Sequence, residues 1–313
     1  MMKKIISPFL FLLALAACDK VDYPYPENQG VSFDLDDGIE YIIDANLNVN
    51  AGDTTFLKNL MTNYNWDTIV AADNSNKRFV VIEEFTGHTC LNCPLGSWEI
   101  VRLKDIYKEQ LIPVSIHSGH FAKPKSSEPY TSDHRVKGGH GEEYSNTFNV
   151  VAYPSAMVSR INNGQVTTNA QWEGQINSIK DDAPKVKIDL KNYVVTDNSL
   201  DTIVRTQIDI EWLENLNEKY NLQVFLTEDN VIDWQDSSGV DVEFYNHRHM
   251  LRKVVNNTFG LELDAAVRGS KASFQYITTI DNNWKLEDME AVVFIFQQSP
   301  SYEIIQGNAA PLR

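Results

Sequence analysis

Basic residues, long apolar segments and common catalytic motifs are all scarce in this chain of 313 residues. Lys and Arg number 27 against 43 Asp and Glu, which gives a formal net charge of −16. So acidic a surface argues against nucleic acid as a partner and against docking on anionic lipid headgroups. After Ala17 no apolar run is long enough to span a bilayer as a helix. No Ser-His-Asp order, phosphate-binding glycine loop or paired-carboxylate motif stands out.

Cysteine occurs only three times, and Cys18 directly follows a segment typical of exported proteins. A short basic start precedes an apolar run that ends at Ala17 and is too short to cross a bilayer, as in the core of a secretory signal. Leu-Ala-Ala before Cys18 resembles a bacterial lipobox, although an ordinary signal peptide with a nearby cysteine is the alternative. We predict a lipoprotein signal peptide over residues 1–17, a lipid anchor on Cys18 and a polar tether over 18–30.

The other two cysteines form the motif Cys90-Leu91-Asn92-Cys93, between an apolar run at 79–85 and a segment with helical spacing. Two cysteines three positions apart at a strand-to-helix junction can close a disulfide reversibly. A thiolate at this place is close to the unpaired N–H groups of the helix start, which lower its pKa. In an exported protein such a pair can be a structural disulfide, a redox centre, or both at different times.

Strand and helix patterns alternate around this motif in residues 77–183. In order they predict a strand at 78–85, a helix after Pro94, a strand at 110–117, a helix at 142–149, a hairpin at 156–168 and a helix at 169–181. A Cys-x-x-Cys motif in such an order predicts a thioredoxin-like α/β domain. Residues 118–141, which are polar and rich in Gly and His, form an insertion relative to a minimal thioredoxin.

The resemblance to thioredoxins rests on three features of the sequence. Cys90 and Cys93 match the dithiol, and Pro154 matches the position of a cis-proline beside the disulfide. Glu84, six residues before Cys90, matches the buried carboxylate that serves the second cysteine as a proton acceptor. Thr89 departs from the pattern because thioredoxins usually have an aromatic residue there, and Leu-Asn between the cysteines is not a familiar dipeptide. The redox potential of thioredoxins therefore cannot be assumed for the Cys90–Cys93 pair.

The flanking regions have different patterns. Residues 184–313 contain runs of period two separated by Asn, Asp, Gly and Ser, which predict an all-β domain, an immunoglobulin-like sandwich of antiparallel strands. Residues 31–76 are acidic and ambiguous, with short strand patterns and a possible helix at 55–66. We treat 31–76 as an N-terminal segment of uncertain structure.

Two longer segments resemble one known family. Residues 86–94, Thr-Gly-His-Thr-Cys-Leu-Asn-Cys-Pro, and residues 245–252, Tyr-Asn-His-Arg-His-Met-Leu-Arg, are similar to recurrent segments of the outer membrane protein 28 related family of bacterial lipoproteins. The resemblance implies a lipidated N-terminus, a thioredoxin-like domain and a β-rich C-terminal part. It also implies attachment to the outer membrane, on its periplasmic face or at the cell surface. The family is named for location and not for activity.

Two functions follow from these features. In the first, the protein exchanges disulfides with other cell-envelope proteins: Cys90, the more exposed thiol, attacks and Cys93 resolves the mixed disulfide. Glu84 accepts or supplies the proton of Cys93, and Pro154 presents backbone to the partner. In the second, the chain is a non-enzymatic binding or adhesion module of the envelope, and the cysteines form a structural disulfide. Neither function calls for a cofactor.

Histidines raise a third and weaker possibility, a metal site. His88 adjoins the dithiol, and four more lie in one region: His117, His120, His134 and His140. Imidazoles and a thiolate pair could bind zinc or copper, but loop histidines are more often simply polar, so we predict no metal. His247 and His249 are two positions apart, which places them on one face of a strand in a structural or interdomain role.

Overall fold

The computed structural model describes residues 31–34, 39–43, 55, 58–59, 67–195 and 202–313. The strands are β1 Val31–Asp34, β2 Ile39–Ile43, β3 Asp67–Val70, β4 Val80–Thr86, β5 Leu111–His117, β6 Ser155–Val158, β7 Val186–Val195, β8 Ile203–Trp212, β9 Tyr220–Glu228, β10 Val231–Ser237, β11 Val240–His247, β12 Met250–Val254, β13 Leu261–Glu262, β14 Lys271–Thr279, β15 Met289–Gln297 and β16 Ile304–Pro311. The main helices are α1 Cys93–Tyr107, α2 His140–Thr147 and α3 Asn169–Ile179, with 3-10 turns at Lys108–Gln110, His120–Ala122 and Leu286–Asp288.

The protein is therefore rich in β-strand and has few helices, in agreement with the predicted β-rich C-terminal part. The predicted signal peptide, the lipidated Cys18 and the tether lie outside the described residues, as does most of the helix predicted at 55–66. Among the residues that are described, no helix combines the length and the apolar character needed to cross a membrane.

Local sequence explains where the two longest helices begin. Pro94 lies in the first turn of α1, where its missing N–H has no intrahelical partner to lose. Helix α3 begins with a capping box, in which the Gln171 side chain accepts a hydrogen bond from the Thr168 N–H at 3.3 Å. Each helix buries one face, and for α3 that face carries Trp172 and Ile176.

Most of the strands form two sheets. The larger has the order β16-β15-β9-β12-β5-β4-β6, with β13 beside β9, and the smaller has the order β1-β2-β14-β8-β7-β3. Among the strands that the structure describes, β10 and β11 pair only with each other. In the larger sheet β5 is parallel to both β4 and β12, and the Ser115 N–H donates to the His249 carbonyl at 2.7 Å. This sheet thus combines strands from both sides of the predicted boundary at 183/184.

The two faces of the larger sheet carry different cores, because successive residues of a strand point to opposite sides. On one face, Val224 of β9 packs towards the smaller sheet, and Ile82 of β4 packs with α1 and α3. On the other face, Phe225 and Phe85 join a core that includes Tyr144 of α2. Helices α1 and α3 and the smaller sheet consequently share one face of the larger sheet, side by side, and α2 lies on the other face.

Candidate functional site

Cys90 and Cys93 are joined by a disulfide at the start of α1. Cys93 is the first residue of the helix, and its N–H donates to the Cys90 carbonyl at 3.1 Å. Both cysteines are almost completely buried, with 2% of Cys90 and 1% of Cys93 exposed. Cys90 was expected to be the more exposed thiol, but the two cysteines are buried almost equally, and a remote part of the chain covers the motif.

The cover is the hairpin of β10 and β11, residues 231–247, which we call the covering hairpin. The Gln235 side-chain amide donates to the Cys90 carbonyl at 3.1 Å. Backbone N–H groups at 236 and 238 donate to the carbonyls of His88 and Leu91, at 2.8 and 2.9 Å. These bonds satisfy carbonyls of the Cys-x-x-Cys loop that would otherwise need water. The covering hairpin is thus bonded directly to the loop that carries the two buried cysteines.

The predicted insertion at 118–141 supports the covering hairpin. The Tyr130 hydroxyl donates to the Asp241 carboxylate of β11. The His134 Nε2 lies 2.8 Å from an oxygen of Asp233 in β10. The insertion also contacts the Cys-x-x-Cys loop, because the Thr89 N–H donates to the Phe121 carbonyl at 3.1 Å.

Glu84 lies beneath the first turn of α1. A Cβ placed on Gly96 would contact the Glu84 Oε1 and would lie 2.8 Å from the Pro154 Cβ. The Glu84 carboxyl is fully buried; its Oε2 accepts from the Ser115 hydroxyl at 3.3 Å, and its Oε1 has no partner among the described residues. Burial raises the pKa of Glu84 to about 8, against a smaller opposing effect of the Ser115 hydrogen bond. This carboxyl therefore carries its proton at neutral pH.

The close approach at Gly96 predicts a stability effect. Gly96→Ala is expected to lower the free energy of unfolding by about 1–3 kcal/mol, because the added methyl group meets a rigid proline ring and a buried carboxyl. The matched control is Gly174→Ala in α3, where nothing lies within 4 Å of the added Cβ, and alanine should stabilise by about 0.5–1 kcal/mol. Urea unfolding of the oxidised proteins measures both changes. Equal stabilisation by the two substitutions would show that the first turn of α1 does not press on Glu84.

Pro154 packs against the first turn of α1, at Gly96. The Tyr153–Pro154 peptide bond is cis. The Tyr153 hydroxyl lies 2.9 Å from the Ser118 hydroxyl at the start of the insertion. Of the predicted site residues, the structure thus joins Cys90 to Cys93 and brings Glu84 next to Pro154 under the same helix.

Sequence reasoning missed His247 as a member of the site. Its ring centroid is 4.8 Å from that of His134 and 5.4 Å from that of His117, and His88 packs 4.6 Å from His134. All four are buried. Burial lowers the pKa of His88 to about 4 and that of His247 to about 3, so their rings are neutral. No spacing in the sequence could indicate this cluster, because four separate segments supply it.

Three other histidines lie elsewhere. The exposed His120 packs against Phe121 with the two rings tilted, and the His140 Nδ1 lies 2.8 Å from the Thr258 hydroxyl. The prediction that His247 and His249 share one face of a strand is wrong. β11 ends at His247, and His249 has a φ of 52° in the connection to β12. Its Nδ1 lies 3.1 Å from an Asp229 carboxylate oxygen.

Comparisons with known proteins indicate the relatives of this chain. The family model described as Outer membrane protein Omp28 matches residues 141–310, more than half of the chain. No curated protein matches. The solved structure of HBP35 of Porphyromonas gingivalis is 18% identical, with 76% of each chain covered and a TM-score of 0.59, a likeness of fold alone. A domain of the outer membrane lipoprotein Omp28 from the same organism is 18% identical, covers 42% of this chain and 91% of its own, and has a TM-score of 0.27.

Proposed function

The chain belongs to the outer membrane protein Omp28 family, and we propose that its Cys90–Cys93 pair exchanges disulfides with other cell-envelope proteins. In this proposal residues 77–183 are a thioredoxin-like unit, and the strands of 184–313 other than the covering hairpin contribute to an immunoglobulin-like sandwich joined to it through the larger sheet. A lipid on Cys18 anchors the protein to the outer membrane, on the periplasmic face or at the cell surface. No cofactor takes part.

The buried carboxyl of Glu84 is the observation that carries this proposal. A buried polar atom without a partner costs free energy, and a disulfide that only fixes a loop does not need a buried carboxyl beside it. A disulfide that opens does need a proton donor, because the sulfur that leaves must receive a proton. With a pKa of about 8, Glu84 holds a proton at neutral pH and can release it to a stronger base.

The exchange then balances as follows. A thiolate of the partner attacks the Cys90 sulfur, the bond between Cys90 and Cys93 breaks, and its electron pair leaves with the Cys93 sulfur. Glu84 gives its proton to that sulfur. A second thiol of the partner attacks the mixed disulfide, and its proton passes to the Cys90 sulfur that is released. The partner loses two electrons and gains a disulfide, while the Cys90–Cys93 pair gains the two electrons and becomes a dithiol.

An exposed apolar stripe next to the site suits a protein partner. Leu95 and Trp98 are three residues apart on α1 and therefore lie on one side of it, and 58% of Trp98 is exposed. Leu91, just before the helix, is exposed as well. Phe244 of the covering hairpin is 76% exposed. Apolar patches of this kind on a protein surface commonly mark a contact with another protein.

The experiment is a trapping assay with two single variants. Cys93→Ser is expected to accumulate a mixed disulfide with a model peptide that contains a disulfide, because the free Cys90 thiolate attacks that disulfide and no Cys93 thiol remains to resolve the product. Cys90→Ser, the matched control, should trap none. The reduction potential of the wild-type pair should lie between about −230 and −120 mV, the range of thiol–disulfide exchange proteins.

A binding or adhesion module is the second candidate, and the burial of both sulfurs under the covering hairpin favours it. Buried cysteines are commonly inert, and the disulfide would then only fix the loop. A potential below about −300 mV, together with equal and negligible trapping by both variants, would contradict exchange. Pull-down of the same envelope proteins by wild type and by the double variant Cys90→Ser/Cys93→Ser would then establish the module.

A further inference from the structure

We propose that His117, His134 and His247 bind one transition-metal ion of the kind that prefers imidazole, zinc or copper. Each side chain offers one ring nitrogen, and the three nitrogens all lie within 4.8 Å of one another. Nitrogen ligands around a tetrahedral zinc ion are roughly 3.3 Å apart, since each Zn–N bond is about 2.0–2.1 Å. Small rotations of the three rings therefore bring them to a common ion.

The hydrogen bonding of the cluster is incomplete without such an ion. His117, His134 and His247 are each more than nine-tenths buried. Nδ1 of His117 and Nδ1 of His134 have no hydrogen-bond partner in the part of the chain that the structure describes. Nearly all buried polar atoms in proteins have a partner, and two that lack one in the same cluster point to a missing ligand.

Groups outside the cluster hold two of the rings in place. The His134 Nε2 lies 2.8 Å from the Asp233 carboxylate, which also accepts the Trp234 N–H at 2.8 Å. A carboxylate on the far nitrogen of an imidazole is the usual support for a metal-binding histidine, because it fixes the ring and leaves the near nitrogen with its lone pair. The His247 Nε2 lies 3.3 Å from the Trp234 carbonyl.

The type of ligand limits the choice of ion. Calcium and magnesium prefer oxygen ligands, whereas zinc and copper bind imidazole well. Three histidines leave a fourth position on the ion open. Cys90 and Cys93 are paired in the disulfide and offer no thiolate, so binding by the oxidised protein would depend on the histidines alone.

The three ligands come from three different segments. His117 ends β5, His134 lies in the insertion, and His247 ends the covering hairpin. A bound ion would therefore join these segments and hold the covering hairpin over the disulfide. Metal binding does not depend on the proposed exchange reaction, because it concerns the protein with its disulfide closed.

The test is a titration of the oxidised chain, produced without a polyhistidine tag, with Zn²⁺ and separately with Cu²⁺ against a competing chelator. We expect one ion per chain and an affinity reduced at least about 100-fold in His134→Gln and in His247→Gln. Asp233→Asn, which only positions His134, should reduce it about 10–100-fold. His120→Gln, at an exposed histidine, is the matched control and should bind like wild type. The ion bound tightly in wild type and weakly in the two ligand variants is the one assigned.

A cobalt spectrum keeps the test decisive if a histidine variant fails to fold. Co²⁺ in the wild-type site should show the intense visible absorption of a tetrahedral ion, and Asp233→Asn should weaken its binding. Circular dichroism in the presence of chelator checks the fold of each variant. The proposal is overturned if neither zinc nor copper binds, or if folded His134→Gln and His247→Gln bind both ions as tightly as His120→Gln.

Discussion

Arg160→Met is expected to lower the free energy of unfolding by about 3–5 kcal/mol. Arg160 and Glu83 are both completely buried, and the Arg160 Nε and Nη2 each donate to a Glu83 oxygen at 2.7 Å. The guanidinium also lies 4.8 Å from the ring centroid of Phe296. Methionine removes the positive charge and leaves the Glu83 carboxylate unpaired inside an aromatic core, where it is poorly solvated.

Two further variants separate the buried charge from the loss of an arginine. Arg102 makes a similar two-bond pair with Glu99, at 2.8 and 2.7 Å, but on the surface, so Arg102→Met should cost less than about 1 kcal/mol. The double variant Glu83→Leu/Arg160→Met should recover most of the lost stability, because no buried charge remains. Urea unfolding at pH 7 measures all three. A loss in Arg160→Met no larger than that in Arg102→Met would contradict the prediction.

Glu84→Gln is expected to remove a large pH dependence of stability. Between the unfolded pKa of about 4.5 and the folded pKa of about 8, the native protein keeps a proton that the unfolded chain has released. The stability of the wild type must therefore fall as the pH rises through this window, by about 1.4 kcal/mol per pH unit for this group. Glutamine is neutral at every pH and lacks this contribution.

The measurement is the difference in unfolding free energy between Glu84→Gln and wild type from pH 4.5 to 9. The difference should shift in favour of the variant by several kcal/mol up to about pH 8 and then become constant. Glu109→Gln, at an exposed position, is the matched control for the chemical change. A difference that does not change with pH would mean that Glu84 is ionised in the folded protein. Glu84 would then have no proton to donate in the proposed exchange.

The immediate surroundings of the disulfide were predictable because the signals are local. An apolar run followed by Cys-x-x-Cys-Pro predicted a strand and a helix, and the structure has β4 and α1 there. Alternation along β4 places Glu84 on the face that α1 covers and Glu83 on the opposite face. The sequence did not indicate Arg160 as the partner of Glu83, because Arg160 lies far along the chain in a turn with a φ of 49°.

The predicted hairpin at 156–168 shows how a local pattern can be only partly realised. Its first strand is β6, but the second is reduced to a single bridge between Ala156 and Thr167. Asn162 and Asn163 both have positive φ, at 56° and 59°, as the Asn-rich turn signal allows. The carbonyl of Thr167 accepts the Trp172 indole N–H at 3.1 Å, so the segment leads into α3 and does not continue the sheet.

The sequence by itself determined the strand, the disulfide-forming pair and the helix, because each depends on residues close together in the chain. It also determined membership of an outer membrane protein family. Only the tertiary structure decided that the disulfide is buried and that His247 lies beside His117 and His134. Both outcomes follow from the pairing of β12 with β5, which brings the preceding covering hairpin over the Cys-x-x-Cys loop. Such a pairing depends on packing across a whole sheet, so the periodicity within one segment does not predict which distant strand it pairs with.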